Sequence, residues 1–569
     1  MAKWKLKEKT EIPGHLRDIG ISQTLLEILL SRGISTKDEM FSFMQPDYDR
    51  DMHDPFLFVQ MKKVVDRISL AREKKEKIAI FGDYDADGIT SSVILGETLN
   101  ELGILNCVYI PDKRYEGYGM NINAIDKLID EGANLIITVD CGITNIAETA
   151  HAKKRGAEVI IIDHHHVPDK VPEAYAIINP HMKDSGYPFA MLAGVGVAFK
   201  VVQAIYKTLL SDKVEQTKWM LDLVAIGTIA DCVPLVDENR LIAKYGMVVL
   251  SKTRRTGLKE LCAVGRIDVE SNVSDTQKIS FHVAPRINAA GRIDHANVAF
   301  ELLSEQIAPR ARELALEIEG HNQTRQKVTE QVAGEVRVLA ENMFKDRKLI
   351  FAVGEHFPIG IVGLVAGKIA QEYNKPVVIL QKGEKESMGS LRSIPIVNII
   401  ESLEKCSEYL VKFGGHAQAA GITVSNEKIE QLHEALLKVV EDEIGDKDIT
   451  PEILIDAAIE PAQIDFDLLD GLEKLRPFGE GNREPVFLTE KLLVDEVRIV
   501  GNGNKHLKLK LRAQDGSPKI FDAISFNGMQ KFPPLSAGTQ IDAVFSLQRD
   551  DWNGNSKIQM NVVDLKVKN

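Results

Sequence analysis

The sequence predicts a multidomain α/β protein that ends in a β-barrel. Three observations predict it. The chain has 569 residues, more than one ordinary core holds and enough for roughly three or four domains. Between residues 55 and 205 apolar strand-like runs alternate with helical stretches, the rhythm of a parallel sheet covered by helices. From residue 485 onward the pattern becomes short strands separated by turn signals such as Gly501-Asn502-Gly503.

Residues 1–50 read as a mixed helical lead-in. Strand 78–82 then leads to a helix near 89–102, and strand 107–111 to a helix near 122–131. Strand 135–139 leads to a helix near 145–154, and strand 158–162 follows. Helices dominate 195–262. From Pro309 to about Phe344 breakers are few, and Leu314, Ile318, Val328, Val332, Val336, Leu339 and Met343 form an apolar stripe. One helix of ~35 residues at ~1.5 Å per residue spans ~50 Å, so it is expected to bridge two lobes. A second αβ unit follows, with strand 348–353, a glycine-rich helix start at Gly360-Ile361-Val362-Gly363, strand 376–380 and a loop from Phe413 to Gly421.

Residues 441–474 hold twelve acids against Lys447 and Lys474 and read as a boundary. Beyond it lie the strand runs Pro485–Phe487, Leu492–Val500, Leu507–Leu511, Phe521–Phe526, Ile541–Leu547 and Ile558–Val567, for which an OB-fold is the leading candidate. The expected divisions are 1–54, 55–235, 236–344, 345–445 and 446–569.

The net charge of −13 argues at first sight against a nucleic-acid partner, but residues 441–474 alone carry −10 of it. Basic groups gather at Lys62-Lys63, Arg72 to Lys77 and Lys252 to Arg255; each alone reads as a solvated helix face. The five cysteines show no CxxC pair, which excludes a zinc ribbon and a disulfide framework as readings. No apolar span of ~20 residues suggests a membrane crossing. The charged start Met1-Ala2-Lys3-Trp4-Lys5 lacks a signal-peptide core, so the cytoplasm is expected.

The chemistry sits in six aspartates and a histidine run. Asp83-Tyr84-Asp85-Ala86-Asp87-Gly88 follows the first strand, Asp140 closes the third, Asp163-His164-His165-His166 closes the fourth, and Asp231 ends the apolar stretch 223–230. Ligands of parallel sheets bind beyond the carboxyl ends of the strands, where Asp83, Asp140 and Asp163 fall. A single Asp after a strand is usually a helix cap. Three at alternate positions before a glycine repel one another unless a cation neutralises them. Carboxylates with imidazoles suit Mg²⁺ or Mn²⁺, and two such ions activate a water and hold a phosphate.

These blocks resemble the four motifs of the DHH phosphoesterase superfamily, and Gly414-Gly415-His416-x-x-Ala419-Ala420-Gly421 resembles its second-lobe motif. Pro285 to Arg292, Gly389 to Pro395 and Leu475 to Asn482 narrow the resemblance to the RecJ family of bacterial single-strand-specific 5′ exonucleases. It runs from about residue 50 to the end. It implies a parallel-sheet DHH lobe, a long connecting helix, a DHHA1-like second α/β lobe and a terminal OB-like barrel.

The resemblance also implies two divalent cations, Mn²⁺ or Mg²⁺, shared by Asp85, Asp87, Asp140, His164 and Asp231, with Asp83 as a further ligand or a group behind the ligands. On this resemblance Asp140 is expected to bridge the ions and His165 to donate to a phosphate oxygen. Arg286, Asn288, Arg292 and His416 are expected on the DNA, with Ser390 and Arg392 on the terminal 5′ phosphate. The family's Pro-Asn-Arg reads Pro111-Asp112-Lys113-Arg114 here, so both Lys113 and Arg114 are candidates for phosphate contact. The implied activity is metal-dependent 5′-to-3′ hydrolysis of single-stranded DNA to 5′-mononucleotides in recombination and repair. The implied partners of this monomer are a 5′-ended strand, a single-strand-binding protein and a helicase. Two alternatives stand beside this: a phosphodiesterase for short oligonucleotides or cyclic dinucleotides, which the barrel argues against, and a non-catalytic strand-binding relative, which the complete ligand set argues against.

Overall fold

The computed structural model describes residues 2–112, 116–117, 119–501, 503–514, 519–551 and 556–568. The chain divides into two compact units, one of residues 53–233 and 245–450, the other of residues 1–52, 234–244 and 451–569.

The first unit opens with a five-stranded parallel sheet. Its strands are β1 (Lys77–Phe81), β2 (Asn106–Tyr109), β3 (Ala133–Val139), β4 (Glu158–Ile162) and β5 (Ala176–Ile178), in the order β2-β1-β3-β4-β5. The central strands are apolar runs buried on both faces, as a helix-covered parallel sheet requires. Strand β5 escapes the sequence pattern, because three residues are too short to show a period. The register brings the carboxyl ends level, with Phe81 beside Thr138, and Val139 beside Ile162.

Helix α1 (Ala86–Glu101) is buried along nearly its whole length although it holds Thr90, Ser91, Ser92 and Thr98. Each hydroxyl donates to the carbonyl four residues back, so none needs water. Its small side chains let α2 (Gly194–Leu209) and α3 (Leu221–Ala230) pack closely. Next come α4 (Ala284–Ile293) and the connecting helix α5 (Ala308–Met343), which runs 36 residues unbroken. Ala311, Leu314, Ala315 and Ile318 are buried in its first half; Val332, Ala333, Val336 and Ala340 join the core of the second lobe.

That lobe is a mixed sheet of β6 (Ile350–Gly354), β7 (Val377–Lys382), β8 (Glu386–Arg392), β9 (Leu410–His416) and β10 (Ala419–Ser425), ordered β9-β10-β8-β7-β6, with α6 (Ile359–Tyr373) connecting β6 to β7. The expected loop 413–421 is instead the hairpin β9–β10. Gly415, at φ +149°, is a point of close approach: a Cβ there would lie 2.3 Å from the Ala419 carbonyl.

The second unit contains a barrel of β11 (Phe487–Val500), β12 (His506–Ala513), β13 (Ile520–Ser525), β14 (Gln540–Asp550) and β15 (Lys557–Val567), closed in the order β11-β12-β13-β15-β14-β11. Phe487, Phe521 and Phe545 are core, and Phe526 is exposed; Trp552 lies outside the described residues. The first 52 residues, expected as a separate lead-in, share this unit's core: Leu16, Leu25, Leu26, Ile28 and Leu29 pack with barrel residues such as Phe487 and Leu492. Strand Lys3–Leu6 pairs in parallel with Glu452–Ile455. The acidic stretch 441–474 is likewise structured and contains helix Phe466–Lys474. Buried Arg240 ties the segments together, donating to the carbonyls of Phe43, Lys474, Leu475 and Arg476.

Candidate metal centre and substrate cleft

The turn after β1 delivers three carboxylates. Asp85 caps α1, accepting from the backbone N–H of Asp87 at 2.9 Å and of Gly88 at 3.2 Å. The remaining N–H of that turn, on Ala86, donates to Asn288 Oδ1 of α4 at 2.7 Å. Gly88 admits the turn because a Cβ there would stand 2.6 Å from the backbone N and O of Asp83. Asp87 lies on the N-terminus of α2, accepting from Gly194 N at 2.7 Å and Val195 N at 2.8 Å.

Asp140 follows β3 with φ at +60°, an unusual conformation for a non-glycine residue and a signature of functional sites. Its N–H still extends the ladder to Ile162 O. Gly194 packs on its carboxylate so closely that a Cβ would be 2.5 Å from Asp140 Oδ1. Asp231 stands at the C-cap of α3. Into this group points His164, whose Nε2 is 3.1 Å from Asp140 Oδ1, 3.7 Å from Asp231 Oδ2 and 3.9 Å from Asp87 Oδ2.

Three sets of ligand atoms each lie within 4.8 Å of one another: Asp83, Asp85 and Asp140; Asp87, His164 and Asp231; Asp140, His164 and His165. Asp140 is common to two of them. Asp163 supports the arrangement from behind. Its Oδ1 accepts from His165 Nδ1 at 2.7 Å and from the N–H groups of His164 and His165, and its Oδ2 accepts from Ile143 N at 2.9 Å.

The electrostatics fit cations. Burial, then the charge of neighbouring carboxylates, raises the pKa values of Asp87, Asp140 and Asp231 above the usual range. Burial, then the charge of His165, lowers the pKa of His164. Burial is the largest influence on Asp163 and His165 and opposes charge on both, but their mutual hydrogen bond and opposite charges, with neighbouring N–H groups for Asp163 and neighbouring carboxylates for His165, together outweigh it, lowering the pKa of Asp163 and raising that of His165. The buried Nε2 of His164 makes no hydrogen bond although carboxylates surround it. An imidazole lone pair held among oxygen donors is a fitting site for Mn²⁺ or Mg²⁺.

The other predicted residues divide by element. On α4, Arg286 is turned into the fold, donating to Glu319 at 2.7 Å and to the carbonyls of His282 and Gly265. Asn288 holds the turn before α1, as above. Arg292 donates to Gly360 O at 3.1 Å, linking α4 to the start of α6. In the second lobe, Arg392 Nη1 donates to Ser390 Oγ at 2.7 Å. Both converge on Gly363, where a Cβ would meet Arg392 Nη2 at 3.2 Å and Ser390 Oγ at 3.3 Å. His416 is exposed at the end of β9, and Lys113 and Arg114 lie outside the described residues. Sequence reasoning places Asp163 at the ligand edge of the sheet but not its support of His165, for which its position directly before the histidines is the available signal.

The fold and the site together define the DHH class. Residues 77–228 match the DHH family, N-terminal domain, residues 346–446 the DHHA1 domain, and residues 455–564 the RecJ OB domain. The single-stranded-DNA-specific exonuclease RecJ of Bacillus subtilis (strain 168) is 35% identical, over 99% of this chain and 71% of its own length. Its namesake from Escherichia coli (strain K12) is 30% identical, over 98% and 97%. The crystal structure of RecJ in complex with Mn²⁺ from Thermus thermophilus superposes with a TM-score of 0.82 and 25% identity, over 99% of this chain and 79% of that one. The chain belongs to the RecJ family.

Proposed function

We infer that this protein is a metal-dependent exonuclease that hydrolyses single-stranded DNA from the 5′ end to 5′-mononucleotides, in DNA recombination and repair. The observation that carries the reading is the convergence of His164 Nε2 with the carboxylates of Asp140, Asp231 and Asp87 at the carboxyl ends of a parallel sheet. Asp85, Asp87, Asp140, His164 and Asp231 hold two divalent cations, Mn²⁺ or Mg²⁺, with Asp83 beside them. When bound, the cations lower the pKa of water and neutralise charge on the phosphate.

The chain's own groups do the rest. Ionised Asp163 fixes the proton on Nδ1 of His165, so the protonated ring presents Nε2–H to a phosphate oxygen as negative charge develops there. Ser390 and Arg392 grip the terminal 5′ phosphate, with Arg292 nearby, and this end stop sets polarity. Lys113 or Arg114, with His416, reaches the strand elsewhere. The barrel supplies a sequence-tolerant platform for single strands. Among the described residues no helix is long and apolar enough to cross a membrane. The protein works as a cytoplasmic monomer beside a single-strand-binding protein and a helicase.

The test is cleavage of a single strand labelled at its 5′ or its 3′ end, with and without Mn²⁺. Early release of the 5′ label as a mononucleotide, dependent on the metal, is the expected result. Early release of the 3′ label, or endonucleolytic ladders, refutes it.

A further inference from the structure

The connecting helix carries a polar pair at its middle, Asn322 and Arg325, which no motif above includes. Apolar burial occupies the helix on either side, at Leu314 and Ile318 before and at Val332 and Val336 after. Asn322 is itself buried, and its Oδ1 accepts from Arg325 Nη2 at 2.8 Å. That contact orients the guanidinium but brings no countercharge. Arg325 Nε is buried and has no hydrogen-bond partner.

Other arginines of this unit are neutralised: Arg286 by Glu319, Arg255 by Glu97 and Asp222, Arg337 by Glu330 and Glu372. Among the described residues Arg325, Arg292 and Arg392 form no ion pair. Arg292 acts on both of the others. Burial, then the charge of Arg292, lowers the pKa of both Arg325 and Arg392. Of the three, only Arg292 feels a carboxylate among the described residues: the charge of Asp85, which opposes but does not outweigh its burial. Partly desolvated guanidiniums with so little countercharge are unfavourable in the free protein. They suit an anion that arrives with its own charge, and the planar fork of arginine matches phosphate.

We propose that Arg325, held by Asn322, binds a backbone phosphate of the single strand and extends the Arg292–Arg392 cluster onto the connecting helix. This rests on the exonuclease reading. It makes Arg325 a substrate-binding residue, not a strut between lobes.

The experiment measures binding of a labelled single strand by fluorescence anisotropy across a salt series, with Mn²⁺ present and in an Asp140→Asn background that spares the strand. Arg325→Ala and Arg325→Gln are compared with that background. The expected result is about tenfold weaker binding, from one lost charge-assisted contact. The slope of log affinity against log salt should shrink by about 0.7, one phosphate's share for a single strand. The melting temperature should hold. Parental affinity and slope in either folded variant overturn the proposal, as does a lowered melting temperature with the parental slope, which marks a structural residue. Cleavage by the unsubstituted chain is read separately. A chain that binds the strand but never cuts it overturns the exonuclease reading while the arginine comparison still stands.

Discussion

Asp163 and His165 form one unit: the carboxylate Oδ1 accepts the imidazole Nδ1–H at 2.7 Å, and Asp163 is fully buried while His165 is only partly so. A carboxylate at this position accepts and does not donate, so the contact holds a proton on Nδ1, favours the charged ring and leaves Nε2–H to donate to the substrate. Asp163→Asn should lower kcat by about 10²-fold or more, as removal of a group that stabilises transition-state charge does. Mn²⁺ affinity and strand affinity should change little. A parental kcat in the folded variant would remove His165 from the chemistry.

Asn288 reaches from α4 to the first N–H of α1, so its effect should pass through the metal ligands. Asn288→Ala leaves the Ala86 N–H without its acceptor, a cost of about 1–3 kcal/mol. The expected result is weaker Mn²⁺ binding in a calorimetric titration, with Asn288→Asp, which keeps an acceptor oxygen, closer to the parent. Unchanged Mn²⁺ affinity together with weaker strand binding would instead assign Asn288 to the DNA.

Arg392→Ala should weaken the preference for a 5′-phosphorylated over a 5′-hydroxyl end by roughly 1.5–3 kcal/mol, the worth of one charged hydrogen bond. Competition between the two ends for the same enzyme measures it. Equal discrimination by variant and parent would move the end stop to Lys113 or Arg114.

Metal removal should loosen the first unit. Asp83, Asp87 and Asp140 are all buried and repel one another. A cation present at about 100 times its Kd stabilises the folded state by about 2.7 kcal/mol. Chelation should therefore lower the first unit's melting temperature, and Asp140→Ala should blunt that response. Identical melting with Mn²⁺ and with chelator would argue against a site of this affinity.

Much of this architecture is legible because it rests on short-range pattern. Apolar runs ending in aspartate locate the sheet and its ligand edge, and a sparse-breaker stripe from Leu314 to Met343 locates the connecting helix. What the pattern hides is contact between residues remote in sequence. Arg286 sits in an Arg/Gly block that suits phosphate, yet Glu319 on another helix neutralises it. Gly415 carries no strand propensity, and its place in β9 is explained by the Ala419 carbonyl that approaches it across the pairing with β10. The acidic stretch after residue 441 reads as a spacer until the partner of Glu452–Ile455, the strand Lys3–Leu6, is known.

The patchwork composition of the second unit imposes a timetable on synthesis. Its three segments are residues 1–52, 234–244 and 451–569. A nascent chain emerges in order, so Leu16, Leu25 and Leu29 leave the ribosome about 460 residues ahead of the barrel strands, which begin at Phe487, that bury them. At about 5–20 residues per second that wait is roughly 20–90 s. Throughout it an apolar N-terminal surface has no native cover, whereas the metal-binding unit has all its segments once residue 450 has emerged. During translation the metal-binding unit thus has its full set of segments first, and the second unit is completed only by the last residues made.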